Sequence, residues 1–234
     1  MRLTAQLSTT AKENENGKYH GTVMVIGATG SIGKVCAKIL TNQWKRVVVS
    51  APRPYKVLEL ITELKELNPQ TEIIGTSNPD EYSAECDLII TSTSAQGESV
   101  LDIMKVKPGC IICDVSRPFD ISLEEASRRP DVLVIASGEV ALPGNNVVMD
   151  KSIGLPGNIV YACLAETAIL AMEGRHEAFS LSRELSYDRV CEIDQLARKH
   201  GVRLAAVMGH TGEITKEEID LCRKHALNSK SLLL

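Results

Sequence analysis

Residues 23–33 read Val-Met-Val-Ile-Gly-Ala-Thr-Gly-Ser-Ile-Gly, and Lys34 to Leu40 continues with helical periodicity. Glycines at three-residue spacing between an apolar strand and a helix are suited to holding a phosphate. They let the backbone turn sharply beside a pyrophosphate, and the N–H groups opening the helix point at its negative charge. The strand before and the helix after supply the context that the glycine spacing alone lacks. Gly27, Thr29, Gly30, Ser31, Ile32 and Gly33 are therefore the expected pyrophosphate-binding residues.

The elements around this turn follow from periodicity. Apolar runs at 23–26, 47–50, 72–75, 87–91, 110–114 and 132–136 predict six strands. Ile32, Val35, Cys36, Ile39 and Leu40 predict one amphipathic helix; Leu58, Ile61, Leu64 and Leu67 predict a second. A short helix around 122–129, a Gly/Pro/Asn-rich loop to Asn158 and helices at 159–172 and 187–200 follow. The stretch 202–207 reads as a short strand or extended packing segment. Thr215 and Glu218 form a capping box that opens a last helix to about Ala226. Strands alternating with helices imply an α/β, doubly wound parallel sheet of Rossmann type with a C-terminal helical extension. The expected divisions are a polar tail at 1–21, a dinucleotide-binding domain at 22–158 and a helical extension at 159–234.

In such a sheet, ligands bind beyond the carboxyl ends of the strands. Dinucleotide enzymes that use NAD commonly place an acid after strand two. This chain has Ser50 there, followed by Arg53 and Lys56. A guanidinium suits a 2′-phosphate, so NADP is expected over NAD, although both cations could simply be solvated. Thr91, Ser92, Thr93 and Ser94 would lie beside the middle of the cofactor; Ser116, Arg117, Ser137 and Gly138 would lie nearer the nicotinamide. Arg117 could bind an anionic substrate group or anchor a local carboxylate.

Composition excludes several function classes. The 234 residues carry 26 Lys and Arg against 30 Asp and Glu, a formal charge of −4. No bulk positive field recruits nucleic acid, and aromatics at 3% offer few stacking platforms. No apolar run approaches the ~20 residues of a membrane span, and the first twenty residues lack the apolar core of a secretory signal. The seven cysteines are scattered. Cys110 and Cys113 have C-x-x-C spacing inside an apolar run, read as small buried hydrophobes rather than a redox or zinc site. Reduced thiols and a cytoplasmic location are expected.

Several segments together resemble a known family. Gly27-Ala-Thr-Gly-Ser-Ile-Gly33, Asp114-Val-Ser-Arg-Pro118, Ser137-Gly-Glu-Val140 and, most specifically, Ala162 to His176 with Phe179, Ser180 and Arg183 carry the likeness. From Thr22 to about Met208 the chain resembles the C-terminal two-thirds of the long-chain acyl-[acyl-carrier-protein] reductases that form aldehydes. It is equally similar to related predicted amino-acid dehydrogenases. More broadly, its Rossmann portion looks like the cofactor domains of shikimate dehydrogenase and glutamyl-tRNA reductase.

The resemblance implies an NADP-dependent oxidoreductase acting on an acyl, aldehyde or amino-acid substrate, small or carried on a protein. Two departures stand against the full mechanism. Only about twenty polar residues precede the Rossmann portion, where the reductases carry a substrate domain. Residues 137–150 contain no cysteine, and Leu142-Pro143-Gly144 stands where the acylated one is expected. Cys113 falls on a strand and Cys163 in an apolar helical stretch, so no covalent step is expected. Proton transfer then rests on the titratable groups of the resembling segments, Glu139, Glu166 and His176. The alternative is a nucleotide-binding or regulatory subunit without turnover, or a fragment needing a separate substrate domain. Pairing as a homodimer or with such a domain is part of the expectation.

Overall fold

The computed structural model describes residues 12–13, 18–95, 98–144, 153–180 and 185–231. The remainder of the polar tail, and Arg183 of the resembling segment, lie outside them. The elements in chain order are β1 (Lys12–Glu13), β2 (Tyr19–Ile26), α1 (Ser31–Gln43), β3 (Trp44–Ser50), α2 (Pro54–Leu67), β4 (Glu72–Thr76), β5 (Leu88–Thr91) and β6 (Ile111–Asp114). They continue with α3 (Leu123–Ser127), β7 (Leu133–Ala136), β8 (Glu139–Ala141), β9 (Ile159–Tyr161), α4 (Ala162–Met172) and α5 (Tyr187–Lys199). β10 (Arg203–Leu204), β11 (Met208–Gly209), β12 (Gly212–Glu213) and α6 (Lys216–Ser231) complete the chain.

All six expected strands form, and they pair in parallel in the spatial order β7-β6-β5-β2-β3-β4. Numbered by appearance this is 6-5-4-1-2-3, the Rossmann order, with its switch point between β2 and β5. Because both faces are covered, the strands are apolar almost throughout. Alternate side chains serve two separate cores. Val23, Val25, Val47, Val49, Leu88 and Ile90 pack with residues of α1, α2 and α6. Met24, Ile26, Val48, Ile89 and Ile112 pack on the other face against Leu101, Ile103, Val106 and Ile121. That second layer is thin: among the described residues the helical pieces between β4 and β6 are short 3-10 turns, at Pro79–Glu81, Ser83–Glu85 and Ile103–Lys105.

Several boundaries differ from the sequence reading. β2 begins at Tyr19, whose ring lies 5.3 Å from that of Trp44. Trp44, the chain's one tryptophan, is fully buried at the start of β3. α2 buries Val57, Leu60 and Leu64 and leaves Leu58 and Leu67 on the surface, a stripe rotated by one residue. On α1, Ile32 is 46% exposed rather than part of the core face. The loop ahead of Asn158 is flanked by paired strands: β8 lies antiparallel to β9 and to β10 in a second, three-stranded sheet. Ile159–Tyr161 is therefore strand, and the helix begins only at Ala162. The segment at 202–207 yields β10; β11 then adds antiparallel to β7, pairing Met208 with Ala136. The Thr215–Glu218 capping box is formed in both directions, with Glu218 N–H donating to Thr215 Oγ1 and Thr215 N–H to the Glu218 carboxylate.

Candidate functional site

At the end of β2 the chain turns at Gly27, with φ +79°, into a space closed by the neighbouring strand ends. The N–H groups of Gly27 and Ala28 both donate to the carbonyl of Ser50, at 2.9 and 3.1 Å. A Cβ on Gly27 would stand 2.4 Å from the carbonyl oxygen of Ser92, and one on Gly33 2.2 Å from that of Gly27. Only glycine permits both the left-handed turn and this close approach. Gly30 caps α1 without a side-chain hydrogen bond, and no acidic residue occupies the first turn. The N–H groups of Ser31, Ile32 and Gly33 thus open the helix with no earlier helical carbonyl to receive them. Thr29 is half-buried beside them and Gly30 is exposed. The turn forms between strand and helix, where the glycine spacing puts it.

Arg53 is exposed just beyond β3, where it precedes Pro54 at the start of α2. Lys56 follows one turn later, its N–H donating to the Arg53 carbonyl at 3.1 Å. Both cations lie at the carboxyl end of the sheet.

The hydroxyl residues after β5 and β6 have a different occupation from the expected one. Thr91 is fully buried. Ser116 is 6% exposed; its hydroxyl donates to Asp120 Oδ2 at 2.6 Å and accepts from the Thr93 N–H at 2.9 Å. The Thr93 hydroxyl also donates to Asp120. These side chains brace two loops against each other, so Thr93 and Ser116 are committed to Asp120 rather than turned outward. Ser92 is half-buried with its N–H on the Ile26 carbonyl, and Ser94 is exposed. Beneath them Asp114 accepts from the N–H groups of Ser116 and Ile121 at 3.0 and 2.9 Å. Burial pushes its carboxyl above the ordinary aspartate range, opposed by those two donors.

Arg117 anchors a local carboxylate. It donates to Glu139 at 3.1 Å, to the carbonyl of Ser137 at 2.9 Å and to that of Ser116 at 2.9 Å. Its guanidinium also lies 4.2 Å from the ring centre of Phe119. Glu139 is thereby ion-paired, not a free acid or base. Gly138, at φ +95°, has open space on its Cβ side, and its carbonyl accepts from the Ala162 N–H at 2.8 Å.

That last bond sets the start of α4 beside the glycine turn. A cleft of about 510 Å³ lies between them. Ser31 and Ile32 line it from α1, Val140 from β8, Ala162, Cys163, Ala165, Glu166 and Ile169 from α4, and Val190, Ile193 and Ala197 from α5. Ile32 is exposed because it faces this cleft. Glu166 accepts a hydrogen bond of 2.5 Å from the Ser180 hydroxyl. Arg189, also on the wall, donates to the carbonyls of Ala178 and Phe179 and stacks on the Phe179 ring at 5.1 Å.

Cys163, set aside for a covalent step because it falls in an apolar helical stretch, is not buried in the structure. It is exposed, in the first turn of α4, and on the cleft wall. One local signal points to it: a thiol and a carboxylate three residues apart on a helix share one face. His176 is exposed beyond the end of α4 and does not line the cleft. Cys110 and Cys113 are buried, as expected; burial raises both thiols. Among the described residues no cluster could hold a metal ion, and no helix is long and apolar enough to cross a membrane.

The sequence pattern of the shikimate/quinate 5-dehydrogenase family matches residues 9–139, more than half of the chain. The chain belongs to that family. Within this shikimate/quinate dehydrogenase family member, the matched region ends at β8. A longer likeness, 32% identical over 204 residues, exists to the aminotransferase PigE of Serratia sp. (strain ATCC 39006). It takes in 84% of this chain but 23% of that protein. Among solved structures, quinate dehydrogenase from Corynebacterium glutamicum in complex with NAD is 17% identical, covering 57% of this chain and 47% of that one at a TM-score of 0.44. Shikimate 5-dehydrogenase from Listeria monocytogenes in complex with shikimate and NAD is 14% identical, covering 49% and 45% at a TM-score of 0.41.

Proposed function

We propose that the chain is an NADP-dependent oxidoreductase domain of the acyl-reductase type, which takes an acyl group onto Cys163 and releases it as an aldehyde. The observation that carries this reading is the shared cleft: the first turn of α1 forms one wall and Cys163 and Glu166 of α4 form another. Gly27, Gly30 and Gly33 with the N–H groups of Ser31 and Ile32 would hold the pyrophosphate, on a turn that a Cβ at Gly27 or Gly33 would force open against its own backbone. Arg53 would hold the 2′-phosphate. When bound, the reduced nicotinamide supplies a hydride.

The chain's own residues do the rest. Cys163 presents an exposed nucleophile. Ile32, Ala165, Ile169, Val190 and Ile193 give the cleft beside it an apolar lining that favours an aliphatic acyl or aldehyde group over a zwitterionic amino acid. In this reading the rest of the substrate site is supplied by a further domain or a second copy. Exposed Leu164 and Met172 on α4 are the surface assigned to that contact. An aldehyde is also the carbonyl compound that an aminotransferase aminates, which supports the aldehyde-forming direction. Seven free cysteines support a cytoplasmic setting.

Two measurements test the reading. Calorimetry should show NADPH bound more tightly than NADH. Intact mass after exposure to an acyl thioester should show one adduct, lost in Cys163→Ala. Absence of binding by either nucleotide, or an adduct that persists in Cys163→Ala, overturns it.

A further inference from the structure

Cys163 and Glu166 stand three residues apart in α4, a spacing that brings side chains onto the same helical face about 5–6 Å apart at Cβ. Both line the cleft. Glu166 is also held from outside its own helix, by the 2.5 Å hydrogen bond from Ser180, which lies on the cleft wall. Glu166 is half-buried there, beside Ala165, Ile169, Val190 and Ile193. Ser180 satisfies one of its oxygens, and no cation is bonded to Glu166 among the described residues. Arg189, the one cation on this wall among the described residues, is turned to the backbone carbonyls of Ala178 and Phe179. Asp194, on the facing helix, is paired with Arg198. Among the described residues, Glu166 is therefore a carboxylate fixed by Ser180 on the same helical face as a thiol.

Resting on the acyl-transfer reading above, we propose that Glu166 is the proton-handling residue of that transfer and that Ser180 positions it. Glu166 takes the proton from the Cys163 thiol as sulfur attacks the carbonyl carbon of an incoming acyl thioester. A new carbon–sulfur bond forms to Cys163 and the carbon–sulfur bond to the donor breaks. The departing thiolate receives the proton from Glu166. Atoms and charge balance with no redox partner: acyl thioester and protein thiol become acyl-protein and free donor thiol. Proton transfer by a positioned carboxylate contributes about 10²–10⁴-fold to such a step.

The experiment follows acylation of Cys163 in the full chain by octanoyl-N-acetylcysteamine, read by intact mass over time, with no nucleotide present. Glu166→Gln keeps shape and removes the base; it should slow adduct formation by ~10²-fold. Ser180→Ala frees the carboxylate without removing it and should slow the reaction by a smaller factor. Glu166→Asp keeps the base and should recover part of the rate. Thermal melts and NADPH affinity serve as folding controls, and Ser180→Ala keeps the question answerable if Glu166→Gln does not fold. Adduct formation in Glu166→Gln and Ser180→Ala at the wild-type rate overturns the role of Glu166 while leaving the acyl-transfer reading intact. No adduct on wild-type Cys163 overturns that reading, and the inference with it.

Discussion

The guanidinium of Arg117 and the carboxylate of Glu139 meet at 3.1 Å and tie the loop after β6 to the start of β8. The same guanidinium holds the Ser137 carbonyl, so the backbone on either side of Gly138 is fixed. Since the Gly138 carbonyl receives the Ala162 N–H, Arg117 indirectly sets where α4 begins. Arg117→Ala should cost about 1–2 kcal/mol in urea unfolding, from lost charge-assisted hydrogen bonds discounted for partial exposure. It should also slow acylation of Cys163 while NADPH affinity stays near wild type. Unchanged acylation kinetics would detach α4 from this anchor.

Gly33 tests the phosphate cradle. Gly33→Ala puts a methyl group 2.2 Å from the Gly27 carbonyl, which is backbone and has little freedom to yield. Overpacking of this kind costs roughly 1–3 kcal/mol. The expected result is a variant that still folds but loses nucleotide binding in a calorimetric titration.

Arg53 tests cofactor choice. Removing one charged hydrogen-bond partner of a phosphate should weaken NADPH about 10- to 100-fold, the equivalent of about 1.4–2.8 kcal/mol. NADH, which lacks the 2′-phosphate, should bind Arg53→Ala as it binds wild type. Equal losses for both would remove Arg53 from the ribose end.

His210 gives a pH dependence with a definite sign. Its ring meets the edge of Phe119 at 4.5 Å. Burial lowers its pKa from 6.5, opposed by the charge of Asp114 and a backbone bond at Ile121 and reinforced by Arg117. A depressed folded-state value means that the unfolded chain takes up the proton first. The contribution is therefore whole above about pH 6.5 and is lost as pH falls toward the folded value. His210→Phe should flatten that part of the stability–pH curve, measured by urea midpoint.

The cysteines divide by reactivity. Cys163 is exposed and Cys191 half-buried, while Cys36, Cys86, Cys110, Cys113 and Cys222 are buried. Burial raises Cys36 and Cys222, to about 12 and about 11. Peptide mapping after native alkylation should find Cys163 modified first and the five buried thiols modified only after denaturation.

Much of this fold is legible in the chain because it is local. The strand–glycine–helix signature and the apolar runs of β2 to β7 each depend on residues within a dozen positions. What escapes depends on distant partners. β8 and β9 are three residues each and exist by pairing across a loop. The stretch 159–172 is apolar on nearly every side, so periodicity cannot say where strand gives way to helix, or that Cys163 falls on the open side. α2 carries apolar residues at 57, 58, 60, 61, 64 and 67, and two stripes fit equally well until β4 selects one. Thr93 and Ser116 have the right types for a ligand, yet Asp120, a residue with no motif around it, claims both hydroxyls.

Trp44 closes the sheet at the end opposite the glycine turn. β3 carries it and Ser50 at its two ends, six residues or about 20 Å apart at ~3.3 Å per residue. As the chain's one indole, and fully buried, it is an intrinsic optical gauge of the core. Its emission wavelength reports unfolding of the paired strands β2 and β3 and stays silent on side-chain changes around Cys163. Variants of the cleft can thus be scored for integrity in the same cuvette as their chemistry, with no label attached.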